Sequence, residues 1–236
     1  MSASPTAANI RRSLHTVSDA SRAPAMQRFF KTGPGEYAEG DVFIGVTMPH
    51  IRMLARQYYT APLDEIPVLL ASKIHEERML GLLILVRRHQ KDPASRDAVY
   101  RMYTKHMKWI NNWDLIDVTA EHVIGAHLYE RNRTPLYTWA ASKSIWPRRI
   151  AIMTTFHFIK RGDFEDTLRL ATIYLNDAHD LIHKATGWML REIGNRNREV
   201  EIDFLQKHAA TMPRVMLRYA IEKFPKTQRM RFMLQR

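Results

Sequence analysis

The sequence predicts an all-α fold assembled from repeated helix pairs. Three observations carry this reading. Apolar residues recur at helical spacing along nearly the whole chain, with no alternating strand pattern to compete. Pro62, Pro93, Pro135, Pro147 and Pro213 punctuate those helices. The helices also repeat: Trp113 to Arg149 is 36 positions and Arg149 to Lys184 is 35. A helix pair recurring at this interval marks an α-solenoid of HEAT-like or armadillo-like units of about 40 residues. In a solenoid the second helix of each pair lines a concave face, so function is expected on those helices. An irregular helical bundle is the alternative.

Taken in order, residues 1–9 are small and polar and read as a flexible tail. A single repeat domain is expected over 10–236. Residues 10–30 read as helical with a break at Pro24. Thr32-Gly33-Pro34-Gly35 is a turn signal, and 37–46 is irregular, with Gly40 and Gly45. Thr47-Met48-Pro49 starts a helix, with Thr47 suited to the N-cap and Pro49 to the first turn. Amphipathic helices are expected near 76–88, 112–129, 146–161, 182–195 and 212–224. Partner helices are expected near 97–105, 135–141, 164–175 and 199–208.

Composition narrows the function. The chain has 236 residues, is 45% hydrophobic and carries a formal net charge of +12, so a polyanionic partner is expected, nucleic acid first. It has no cysteine, which excludes disulfides, thiolate metal sites and a cysteine nucleophile. The longest apolar stretch, 80–86, is interrupted by Gly81 and followed by Arg87 and Arg88, too short to span a bilayer. A cytoplasmic, monomeric protein without membrane contact is expected. The histidines, His122, His127 and His183 among them, show no zinc-binding pairing, and no P-loop, dinucleotide or Gly-x-Ser-x-Gly pattern occurs. Neither a metal nor a cofactor is expected.

Three segments carry unusual residues. Lys184, Trp188, Arg191 and Asn195 share one helical face, while Ile182, Ala185, Met189 and Ile193 form an adjoining apolar one. Cations flanking an indole suit a nucleic-acid backbone; an ordinary core tryptophan with solvated cations is the alternative. Trp113 and Asp117 also share a face, one turn apart. Asp114 sits at the helix start, where a carboxylate caps amides or meets the dipole. Asp117 lies one turn inside, where it can stabilise a developing cation or orient a water. An Asp117 paired to an arginine of a neighbouring repeat is the alternative. In Trp146-Pro147-Arg148-Arg149, Pro147 suits a helix start and Arg149 the first turn, a natural phosphate site, unless it is a solvated surface arginine.

Trp113-Asp114-Leu115-Ile116-Asp117, Trp146-Pro147-Arg148-Arg149-Ile150-Ala151 and Lys184-Ala185-Thr186-Gly187-Trp188-Met189-Leu190-Arg191-Glu192 together resemble the AlkD-like DNA alkylation repair family, HEAT-like repeat DNA glycosylases. The resemblance spans about residues 20–225. It implies a basic concave surface that cradles double-stranded DNA containing alkylated bases. It also implies excision of cationic N-alkylated purines, such as 3-methyladenine and 7-methylguanine, by hydrolysis of the N-glycosidic bond. Asp117 then takes the catalytic carboxylate position, and Trp113 and Trp188 flank the lesion sugar. Arg149 and Arg191 contact the DNA backbone, with Lys184 and Arg148 beside them. Phe29 takes a DNA-facing position where relatives can carry tyrosine, so the ring is kept and the hydroxyl is absent. Glycosylases usually flip the base into a pocket; the resemblance points to a base still stacked in the duplex, and both stay open. The alternatives are a non-catalytic HEAT-repeat protein that binds damaged or branched DNA, and a protein-interaction solenoid.

Overall fold

The computed structural model describes residues 5–235 and is all-helical. An isolated parallel bridge between Val42 and Ile74 is the one piece of β-pairing among the described residues. The helices gather into two compact units that meet in sequence at Val123 and Ile124. That boundary falls within a π-helical turn, Glu121–Gly125.

The first unit holds α1 (Ala7–His15), α2 (Ala23–Phe29), α3 (Met48–Tyr58), α4 (Ile66–Leu70), α5 (His75–Lys91), α6 (Arg96–Lys105) and α7 (Trp113–Asp117). The centre is α5, which packs on α3, α4 and α6. Every residue of its 79–86 stretch is buried. Each large aliphatic side chain buried there stabilises the fold by roughly 1.5–3 kcal/mol. A helix apolar all round must be covered all round, and that is what its neighbours do. As expected, α3 turns Ile51, Leu54, Ala55 and Tyr58 inward.

Two boundaries near the start differ from the expectation. The tail does not reach residue 9, because α1 begins at Ala7. Thr6 and Asn9 form a reciprocal capping box, Ala7 N donates to Glu65 Oε2 at 2.6 Å, and Ile10 is buried. Residues 1–4 of the expected tail lie outside the described residues. The second difference is that Pro24 does not break a helix. The chain leaves α1 at His15, and Pro24 sits in the first turn of α2, where its missing N–H is harmless.

The second unit holds α8 (Ala126–Leu128), α9 (Thr134–Ala140), α10 (Ile145–Thr154), α11 (Phe156–Ile159), α12 (Glu165–Ile173), α13 (Asp180–Gly194), α14 (Arg198–His208), α15 (Arg214–Ala220) and α16 (Lys226–Leu234). α9 pairs with α10, α12 packs on α13, and α14 packs on α13. The helices α10, α13 and α15 pack successively, α10 on α13 and α13 on α15. Gly187 explains the closeness of α13 and α15: a Cβ there would lie 2.3 Å from the Met216 carbonyl oxygen. No described helix is long and apolar enough to cross a membrane.

Candidate functional site

In the first unit, four separated segments bring their rings into one pile. Phe30 follows α2, Phe43 lies in the irregular loop, His75 opens α5 and Trp113 opens α7. Phe30 stacks on Phe43 at 5.0 Å and 11°, and on Trp113 at 5.4 Å and 27°. Phe43 stacks on His75 at 4.4 Å. Phe29 is 63% exposed and meets Trp113 edge-on at 5.8 Å. The indole N–H of Trp113 donates to the Tyr37 hydroxyl at 3.2 Å, which fixes the ring's orientation.

The loop under this pile is held by Glu76. Its buried carboxylate accepts from the backbone amides of Ile44, Gly45 and Val46 at 2.9–3.2 Å. Gly45 is required there, with φ at 82° and a Cβ position only 1.9 Å from the Asp19 carbonyl oxygen.

His75 is clasped by two carboxylates. Nε2 meets Asp114 Oδ2 at 2.8 Å and Nδ1 meets Asp41 Oδ2 at 3.3 Å. Asp41 also accepts from Arg78 at 2.5 Å and from Asn111 at 3.1 Å. Burial disfavours a charged imidazole, but the Asp114 charge and the hydrogen bonds to both carboxylates outweigh it, and the His75 pKa is raised. His75 and Arg78 thus share two buried carboxylates, Asp41 and Asp114. Asp114 therefore keeps its expected place in the first turn, where the dipole favours an acid, but is not the cap. Asn112 is the N-cap of α7, accepting from Trp113 N at 2.8 Å, and Asp114 turns to a histidine 39 positions away.

Asp117 is half-buried and is the last residue of α7, rather than an interior one. Its charge reaches Tyr103, whose phenol is pushed up by burial first and by Asp117 as well.

In the second unit, α10 starts at Ile145 with Ser144 as N-cap, two residues before Pro147. Arg149 thus lies beyond the free amides of the first turn, and the expected phosphate cradle is not formed by them. The side chain is 5% exposed and donates from Nη1 to the Leu181 carbonyl oxygen at 2.5 Å, tying α10 to α13. Arg148 pairs with Asp177 at 2.8 Å and donates to the Ser142 and Lys143 carbonyls. On α13, Ile182, Ala185, Met189 and Ile193 are buried, as their spacing predicts. Lys184, Trp188 and Arg191 lie half-exposed on the other face. Trp188 donates to Glu192 Oε1 at 3.2 Å and lies 6.0 Å from Phe156. Burial would raise the Glu192 pKa, yet donors from Arg196, Trp188 and Asn195 keep it lowered. Arg191 is ion-paired with Glu222.

The spacing arguments therefore find Trp113, Trp188, Lys184 and Arg191 at accessible positions, with Phe29 beside Trp113. They miss Phe30, Tyr37, Phe43, His75 and Phe156, which carry no local motif. No three described His, Asp or Glu side chains are arranged to hold a metal ion.

The family model for the DNA alkylation repair enzyme matches residues 10–224. The chain belongs to that family. Within solved structures it is similar to a predicted DNA alkylation repair enzyme from Enterococcus faecalis, with a TM-score of 0.70 over 89% of this chain and 97% of that one. Identity to that neighbour is 17%, so the likeness speaks for the fold. No curated protein matches the sequence. For a DNA alkylation repair protein, the half-buried acid beside an indole in α7 and the indole with flanking cations in α13 are the arrangements of chemical interest.

Proposed function

We propose that this member of the family is a DNA glycosylase that removes positively charged N-alkylated purines, 3-methyladenine and 7-methylguanine, from duplex DNA. The carrying observation is Asp117: a half-buried carboxylate one turn from the accessible indole of Trp113. An N-alkylated purine is already cationic, so it leaves without a general acid. What remains is to stabilise the oxocarbenium-like sugar. A carboxylate does this by charge, and the face of Trp113 does it by its quadrupole. The C1′–N bond breaks as the base leaves neutral, a water held by Asp117 forms the new C1′–O bond, and its proton passes to Asp117 and on to solvent.

DNA is held by cations on HEAT-like repeats. Lys184 and Arg191 on α13 are placed to meet phosphates, with Arg148 and Arg149 setting the packing behind them. Arg52, Arg56 and Arg87 line a groove between α3 and α5 and have no acidic partner among the described residues. Unpaired arginines gathered on one groove favour a polyanion. The deciding experiment measures base release from duplex DNA containing 7-methylguanine, comparing wild type with Asp117→Asn. Release by wild type alone supports the assignment. Full release by the variant refutes Asp117 as the carboxylate. No release by either, with DNA still bound, moves the protein to non-catalytic binding of damaged or branched DNA.

A further inference from the structure

The first unit contains a cavity of about 470 Å3, within the roughly 300–1,000 Å3 of ordinary small-molecule sites. Its apolar walls include Met26, Phe30, Phe43, Met48 and Ile51, and its polar lining includes His75, Asp114 and Arg22. Three features define what would fill it. The first is shape. Phe30 and Phe43 are nearly parallel, and rings of this kind favour a flat aromatic partner. The walls are also preformed, because Glu76 ties down the 44–46 loop through three amides.

The second feature is an unanswered acceptor. Asp114 Oδ2 takes its hydrogen bond from His75, while Asp114 Oδ1 is buried with no donor. A carboxylate oxygen left without a donor is costly, and an N–H in the cavity would satisfy it after a small turn of the carboxyl group. His75 has both nitrogens engaged and offers the occupant no lone pair. The third feature is charge. Arg22 is bonded to Asp19 at 2.9 Å, Arg78 is paired with Asp41, and His75 lies between Asp41 and Asp114. A phosphate would find no unpaired cation there and would meet the Asp114 carboxylate.

We propose that this cavity binds a nucleobase, stacked on Phe30 and Phe43 and donating an N–H to Asp114, with sugar and phosphate left outside. The choice of a nucleobase among flat N–H heterocycles rests on the DNA-repair reading; the demand for a planar, non-anionic donor does not. Through Phe30 the occupant joins the ring pile that ends on Trp113. The base enters either free, as a released product, or still attached to a strand and swung out of the stack.

The test uses 2-aminopurine, a fluorescent base that is quenched when it stacks. Free 2-aminopurine is titrated with wild type, with Asp114→Asn and with Ala25→Trp. Ala25 lies exposed on α2 at the cavity lining, so an indole there obstructs the space without entering the core. A duplex with one unpaired 2-aminopurine is titrated in parallel. Saturable quenching of the free base, weakened about tenfold or more in both variants, supports a free-base site. A fluorescence change confined to the duplex, as the base leaves its stacked neighbours, and abolished in both variants, supports a strand-borne base. An equal change with all three proteins, or no change with either probe, overturns the proposal. Should Asp114→Asn fail to fold, as judged by circular dichroism, Ala25→Trp alone decides. The readout needs no excision. Base binding without glycosylase activity sinks the glycosylase reading and keeps this one, and excision without base binding does the reverse.

Discussion

Gly187→Ala should destabilise the protein, although it places a better helix former inside a helix. In an exposed helix interior the exchange would stabilise by about 1 kcal/mol. In α13 the new methyl group would lie 2.3 Å from the Met216 carbonyl oxygen and 2.6 Å from Tyr219 Cβ. Both distances fall roughly 1 Å short of the separation near 3.5 Å that atoms prefer. The Met216 oxygen belongs to the backbone of α15 and cannot rotate aside, so the two helices must separate. Overpacking of this kind costs roughly 1–3 kcal/mol, and a rigid obstacle places it in the upper part of that range. The net loss is about 1–2 kcal/mol. For a chain of this size each kcal/mol moves the melting midpoint by roughly 2–4 °C, so a fall of about 2–8 °C is expected. Thermal melts followed by circular dichroism measure it. A variant that melts above wild type would refute the claim that this glycine sets the α13–α15 distance.

Asp117→Asn should abolish release of 7-methylguanine and leave duplex affinity near that of wild type, checked by base release and by fluorescence anisotropy. Replacing Arg52, Arg56 and Arg87 together by alanine should flatten the plot of log affinity against log salt by roughly 0.9 for each phosphate that is no longer neutralised, read from binding isotherms across salt. Glu201 provides a pH test. It is 0% exposed, and burial pushes its carboxyl up to about 7 against the opposing charges of Arg198 and Arg191. An acid raised in the folded state holds its proton more tightly there. Stability is therefore full below the unfolded value near 4.5 and falls as pH rises through 7. Glu201→Gln should remove that slope and stabilise the protein at pH 8 by up to about 3 kcal/mol, measured by urea unfolding.

Local chemistry was legible in the sequence. Helical periodicity placed the core faces of α3 and α13, and Pro49 marked the start of α3. The Lys184–Glu192 segment showed its two faces because each residue's side of a helix follows from counting. The capping box at Thr6 and Asn9 was also local, but its small polar setting hid it. What counting could not reach were choices between partners. Asp114 had helix amides close at hand and took His75 instead. Arg149 stood in a basic surface motif and turned inward to the Leu181 carbonyl. The ring pile draws on residues 30, 43, 75 and 113, and only the folded chain brings them together.

The ion pair of Arg191 with Glu222 gives this half of the protein a choice between two anions. Arg191 is held by a carboxylate of its own chain, as Arg148 is by Asp177. On the proposed reading a phosphate competes with that tethered carboxylate. The cation condensed on the DNA still leaves when the phosphate is neutralised, so the salt slope keeps the contribution of Arg191. What is lost is affinity, because Glu222 is left without its partner. The pair thus acts as a threshold: an anion takes this arginine only when it is held there firmly enough to displace a neighbour that never diffuses away.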